Sequence, residues 1–136
     1  MSKGRILFAD DELHYIEALM AVAESEGYAV EMCRNASAAV KRAKEGELSC
    51  LVMDIMMDPG SDFPTTSAQN GGLAAIRAIL AMPNHPPIIC LSVIGDEKII
   101  GMLKRSGVLY LRKGETSLKK AWLVINSKIT GIYSVE

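Results

Sequence analysis

The sequence predicts an α/β domain built on a parallel sheet with helices on both faces. Two observations predict it. Short apolar runs end abruptly at polar residues, and the segments between them carry apolar residues at helical spacing. A third observation is the length of 136 residues, which fits one domain with a core of useful size.

The elements follow in order. Ile6-Leu7-Phe8-Ala9 is a strand that stops at Asp10-Asp11-Glu12. Leu13, Ile16, Met20 and Ala23 then mark one face of a helix, and Gly27 ends it. Tyr28 to Cys33 alternates weakly and reads as a second strand. Asn35 caps a helix whose narrow stripe is Ala36, Ala39, Val40 and Ala43. Cys50-Leu51-Val52-Met53 is the third strand and stops at Asp54.

Residues 55–69 form a long connection rich in Asp, Pro, Gly and Ser. Strand-to-helix connections usually take about 2–6 residues. A helix resumes near Asn70, with Leu73, Ile76 and Leu80 on one side. Ile88-Ile89-Cys90-Leu91 forms the fourth strand, ending at Ser92. Asp96 caps a helix bearing Ile99, Met102 and Leu103. Val108 to Leu111 is the fifth strand, ending near Lys113. Thr116 or Ser117 caps the last helix, with Leu118, Ala121, Trp122, Ile125 and Ile129 facing inward. Residues 1–129 read as the domain and 130–136 as a tail or the stump of a linker.

Composition narrows the function. The net charge is −1 without a long run of one sign, which argues against direct nucleic-acid binding or attraction to an acidic membrane. No stretch is long and apolar enough to span a bilayer, and the N-terminus lacks a signal-peptide pattern, so a cytoplasmic location is expected. Cys33, Cys50 and Cys90 lack metal or redox spacing and read as buried reduced thiols.

The chemistry collects at the strand ends. In an open parallel sheet, ligands bind beyond the carboxyl ends of the strands. Those ends carry Asp10 and Asp11, Asp54, Ser92 and Lys113. Three neighbouring carboxylates repel one another unless a cation intervenes. An all-oxygen acidic site suits Mg²⁺, and a carboxylate beside it can attack phosphorus to give an acyl phosphate. A lysine and a hydroxyl would meet the phosphoryl oxygens.

Ile6 to Glu12, Leu51 to Asp54, Cys90-Leu91-Ser92 and Tyr110 to Lys113 occur in this order on this strand pattern. Together they resemble the receiver domain of two-component response regulators. The resemblance implies a doubly wound, flavodoxin-like five-stranded sheet of order 2-1-3-4-5 with five helices. It implies Asp54 as phosphoacceptor and Asp11 as a direct Mg²⁺ ligand, assisted by Asp10 and the backbone carbonyl of Met56. It implies Ser92 as the switch hydroxyl, Lys113 as the phosphate-pairing lysine and Tyr110 as the aromatic that changes rotamer. A histidine kinase or phosphotransfer protein would be the donor. The face of helix four, strand five and helix five, with Ile99, Met102, Leu103 and Arg112, would bind a partner or a second copy. Such a domain is a signalling switch that promotes its own phosphorylation and dephosphorylation, rather than an enzyme acting on a substrate.

Three features depart from the family pattern. Gly114 stands where proline usually follows the lysine, which predicts a less firmly held Lys113. Val93 stands where a small residue is usual, and the loop after Asp54 is long. They favour a second reading, a pseudo-receiver that binds partners without phosphorylation; a third is a small Mg²⁺-dependent phosphohydrolase with Asp54 as nucleophile. His14 and His85 read as surface residues, and Met53, Met56 and Met57 as packing.

Overall fold

The structure is a computed structural model that describes residues 2–63, 70–93 and 96–131. Ile94 and Gly95, residues 64–69 of the long connection and residues 132–136 of the expected tail lie outside the described residues, as does the side chain of Leu13.

Strands and helices alternate strictly. The chain runs β1 (Arg5–Ala9), α1 (Leu13–Ser25), β2 (Ala29–Cys33), α2 (Ala36–Lys44), β3 (Cys50–Met53), α3 (Gly71–Leu80), β4 (Ile88–Ser92), α4 (Glu97–Arg105), β5 (Leu109–Arg112) and α5 (Leu118–Thr130). All strand pairs are parallel, in the order β2-β1-β3-β4-β5. The expected doubly wound sheet and its order are therefore present.

The pleat sorts side chains between two cores. Leu7, Ala9, Leu51 and Met53 point to the layer of α2, α3 and α4, among Ala39, Ile76, Ile79 and Leu103. Ile6, Phe8, Val52 and Leu91 point to the layer of α1 and α5, among Ile16, Leu19, Trp122 and Ile125. The central strands are thus apolar on both faces because both faces are covered.

Caps fall where the sequence places them. The side chains of Asn35, Asp96 and Ser117 accept first-turn N–H groups of α2, α4 and α5. Helix faces were less exact. In α1 the buried set is Ile16, Leu19 and Ala23, while Met20 is only partly buried. In α3 Ile79 is buried rather than Leu80. Leu118, in the first turn of α5, is 39% exposed instead of facing inward. Leu103 is 1% exposed, so it belongs to the core and not to the α4–β5–α5 surface expected to include it. Cys50 and Cys90 are buried and Cys33 is half-buried; all three are free thiols, and burial pushes Cys33 up to about 11 and Cys50 up to about 12.

The edge strand β2 carries an ion network. Glu31 meets Arg5 at 2.7 Å and Arg42 at 2.7 Å, and Arg42 also donates to the Gly46 carbonyl at 2.8 Å. Charge here also discourages pairing of the free edge with another chain. The bond from Arg42 is the main reason that the Glu31 carboxyl is held below its usual value of 4.5. A lowered folded pKa makes this contribution present at neutral pH and lost as pH falls below about 4.5 through the lowered value. Glu31→Gln is expected to cost about 0.5–1 kcal/mol at neutral pH, because the network is partly exposed. Urea unfolding of both chains should show that gap closing in acid.

Candidate functional site

The backbone ladder brings distant residues to one rim. The Asp10 N–H donates to the Cys33 carbonyl at 3.0 Å, and the Asp54 N–H to the Ala9 carbonyl at 3.0 Å. The Lys113 N–H donates to the Ser92 carbonyl at 2.9 Å. These bonds continue the parallel register one step past the strands. They set Asp10, Asp54, Ser92 and Lys113 side by side at the carboxyl edge of the sheet.

The side chains then converge. One Asp54 oxygen accepts from the Ser92 hydroxyl at 2.7 Å and from the Met56 N–H at 3.0 Å. The other accepts from the Lys113 ammonium at 2.8 Å. The same ammonium lies 2.7 Å from Asp10 Oδ2, and Asp10 Oδ1 accepts the Glu12 N–H at 2.8 Å. Asp11 is exposed beside them, and carboxylate oxygens of Asp10, Asp11 and Asp54 lie within 4.8 Å of one another. Asp10, Asp54, Ser92 and Lys113 are all buried, with Asp54 at 2% exposure.

The electrostatics follow from this crowding. Burial pushes the Asp10 carboxyl up to about 6; the Asp54 charge adds to the rise, while bonds from Lys113 and the Glu12 N–H oppose it. Asp11 is raised for the same two reasons, burial first and the Asp54 charge second. Burial works against the charge of Lys113, but its bonds to Asp10 and Asp54 outweigh that and hold it above the ordinary lysine value. Lys113 is therefore not loosened by its glycine neighbour: two buried carboxylates fix it.

The remaining expected residues fall around this cluster. The Tyr110 hydroxyl lies outside it and donates to the Ser92 carbonyl at 3.3 Å. Met56 follows Asp54 directly, with its N–H bound back to that carboxylate. Val93 is 53% exposed at the rim after Ser92. Gly114 has φ +83° and open space around it, so the turn after Lys113 has a form that proline, fixed near −65°, could not adopt.

Three contributors lacked an obvious mark in the sequence. The Tyr15 ring lies under the Lys113 ammonium, 5.7 Å from it to the ring centroid; its spacing of four from Asp11 is the one available hint. Gly72 touches the Asp54 backbone so closely that a methyl group there would overlap the Asp54 carbonyl oxygen. Ser37 clamps the long connection: its hydroxyl donates to the Pro59 carbonyl at 3.1 Å and accepts the Asp62 N–H at 2.9 Å. The Ala36 and Ser37 N–H groups also donate to the Asp58 and Pro59 carbonyls, at 2.8 and 3.0 Å. The first half of the long connection is thus docked on the N-terminus of α2, where orphan donors await partners.

Three carboxylates with no thiol or imidazole among them form an oxygen site suited to a hard divalent cation. A buried carboxylate held between a hydroxyl and an ammonium is arranged for an incoming group rich in acceptor oxygens.

Comparison with known proteins agrees with this geometry. The family model of the response regulator receiver domain matches residues 6–119. The uncharacterized transcriptional regulatory protein YkoG of Bacillus subtilis (strain 168) is 30% identical over 104 residues, or 75% of this chain and 41% of that protein. The match thus covers about two fifths of the length of that relative. Among solved structures, a Francisella response regulator receiver domain superposes with a TM-score of 0.76 at 18% identity, covering 95% of this chain and 98% of that one. The receiver domain of a sensor histidine kinase from Pseudomonas aeruginosa PAO1, which has a magnesium ion coordinated in its active site cleft, gives a TM-score of 0.72 at 22% identity, covering 93% and 97%. With the five-stranded order, the acidic rim and a family match over most of its length, this chain belongs to the response regulator receiver domain family.

Proposed function

We propose that this receiver domain accepts a phosphoryl group on Asp54 from a histidine kinase or phosphotransfer protein, and that the change switches a partner-binding surface. The observation that carries this is the Asp54 carboxylate held by Ser92 and Lys113, with Asp10 and Asp11 oxygens within 4.8 Å.

The donor set fits Mg²⁺, which Asp10, Asp11, Asp54 and the Met56 carbonyl would hold. When bound, the ion supplies positive charge against the phosphoryl oxygens. An Asp54 oxygen forms the new bond to phosphorus as the donor's P–N bond breaks, and the electron pair leaves with the donor nitrogen. Lys113 passes from the Asp54 oxygen to a phosphoryl oxygen, and the Ser92 hydroxyl does the same. Asp54 is 2% exposed, so its bonds to these two residues open as the donor arrives past exposed Asp11.

Movement of Ser92 pulls on Tyr110 through the bond from the Tyr110 hydroxyl to the Ser92 carbonyl. The face of α4, β5 and α5 then changes its affinity for a partner or for a second copy. Ile99, Met102 and Arg112 are partly exposed there. Residues 1–129 act as the switch, which works in the cytoplasm, and 130–136 as a tail or linker. With a net charge of −1, the domain acts through proteins and not by touching nucleic acid.

Acetyl phosphate with Mg²⁺ should add one phosphoryl group, seen by intact-mass spectrometry, and a chelator should prevent it. No added mass at any donor concentration would favour the pseudo-receiver reading. That reading draws support from the closed bridge of Lys113 between Asp10 and Asp54.

A further inference from the structure

We infer that Tyr15 is a positioning residue for Lys113, a role that rests on the phosphoacceptor reading of Asp54. Two contacts from one side chain act on the same short segment. The ring of Tyr15 lies 5.7 Å from the Lys113 ammonium, within range of a cation–π attraction. The Tyr15 hydroxyl donates to the Thr116 carbonyl at 3.1 Å, across 101 residues of sequence. Lys113 and Thr116 begin and end the turn from β5 into α5.

That turn is also held from outside. Gly114 imposes no restriction of its own, and nothing lies within 4 Å of where its Cβ would be. The turn closes on itself through the Glu115 and Thr116 N–H groups, which donate to the Arg112 carbonyl at 3.2 and 3.1 Å. Tyr15, rooted in α1, ties this local turn to the body of the domain. Its neighbour Ile16 is 1% exposed in the α1–α5 core, so the anchor is firm.

The ring matters most when Lys113 changes partners. Hydrogen bonds to Asp10 and Asp54 are directional and hold the ammonium in one place. An aromatic face attracts a cation over a broad area. The ammonium can therefore slide from the Asp54 oxygen toward a phosphoryl oxygen without leaving the ring for solvent. Tyr15 would keep Lys113 in reach of the reacting group throughout the exchange.

The test uses Tyr15→Phe, Tyr15→Leu and Tyr15→Met in the full chain. The first readout is the Lys113 ammonium signal in proton–nitrogen NMR, which needs no phosphorylation. The second is the rate of Asp54 phosphorylation by acetyl phosphate. Tyr15→Phe keeps the ring and should retain the ammonium signal and most of the rate. Tyr15→Leu should broaden that signal and slow the reaction about tenfold, between the scales of an exposed and a desolvated cation–π contact. Backbone amide signals of β3 should stay unchanged. Tyr15→Met, also a good helix former, gives the same reading should the leucine variant fold poorly. An unaltered ammonium signal and rate in the leucine or methionine variant would overturn the inference. A wild-type chain that takes no phosphoryl group defeats the phosphoacceptor reading instead, and the ammonium signal still decides whether Tyr15 positions Lys113.

Discussion

Asp54→Asn should abolish phosphoryl labelling while leaving the domain folded. The reasoning begins with what each Asp54 oxygen does. One accepts from Ser92 and the Met56 N–H, the other from Lys113. Asparagine keeps the shape and one acceptor oxygen, which can still serve Ser92 and Met56. Lys113 loses one anionic partner but keeps Asp10 at 2.7 Å. Against that loss, the Asp54 charge that raises both Asp10 and Asp11 disappears. The two changes oppose each other, so the net stability change is expected to be about 1 kcal/mol. What vanishes is the nucleophile, since an amide nitrogen or oxygen does not form the acyl phosphate. Mass spectrometry after acetyl phosphate and Mg²⁺ should show full loss of the added group, with Tm shifted by only about 3–4 °C. Undiminished labelling of a folded Asp54→Asn chain would place the acceptor elsewhere.

The same residues show why so much of the site was legible. A parallel strand covered on both faces tolerates only apolar residues, so the first polar residue after each run marks the rim. Asp10, Asp54 and Ser92 stand out for that reason, Lys113 comes one residue after Arg112, the first polar residue of its run, and ladder bonds of 2.9–3.0 Å carry them into register. Helix faces were harder. In α1, Leu19 and Met20 both lie within reach of the Ile16–Ala23 stripe at 100° per residue, and only packing against the sheet chooses Leu19. Leu118 has the right spacing but sits at the start of α5, where cover is incomplete.

The connection after β3 was the least legible part. Its Asp, Pro and Gly residues read as breakers, yet Asp58 forms an isolated parallel bridge with Asn35, and the Asp58 and Pro59 carbonyls accept the Ala36 and Ser37 N–H groups at the start of α2. Local sequence signals the turns but says nothing about which distant N–H groups they meet. The glycine pair at the start of α3 is the same kind of case. Gly71-Gly72 resembles flexible punctuation, whereas its meaning lies in what it touches.

Gly72→Ala should therefore destabilise the fold strongly, against the local rule. Inside a helix, glycine to alanine ordinarily gains about 1 kcal/mol. Here the added methyl would overlap the Asp54 carbonyl oxygen and lie 2.6 Å from its carbon and 2.7 Å from the Ile55 Cα. All three are backbone atoms of a buried segment, so no side chain can swing aside. The helix must retreat from β3, breaking the bond from the Gly72 N–H to the Ile55 carbonyl, now 2.9 Å. A net cost of about 3 kcal/mol is expected, or a fall in Tm of roughly 10 °C. Gly114→Ala supplies the contrast, because there φ is +83° but the space is open. Its cost should be only about 1–2 kcal/mol, from the left-handed backbone alone. The functional consequence separates them further. Retreat of α3 drags the backbone that carries Asp54, so Gly72→Ala should also slow phosphorylation in whatever fraction stays folded. Thermal melts of both variants beside the wild type decide it: a Gly72→Ala chain as stable as the wild type would mean that α3 does not pack on the Asp54 carbonyl in solution.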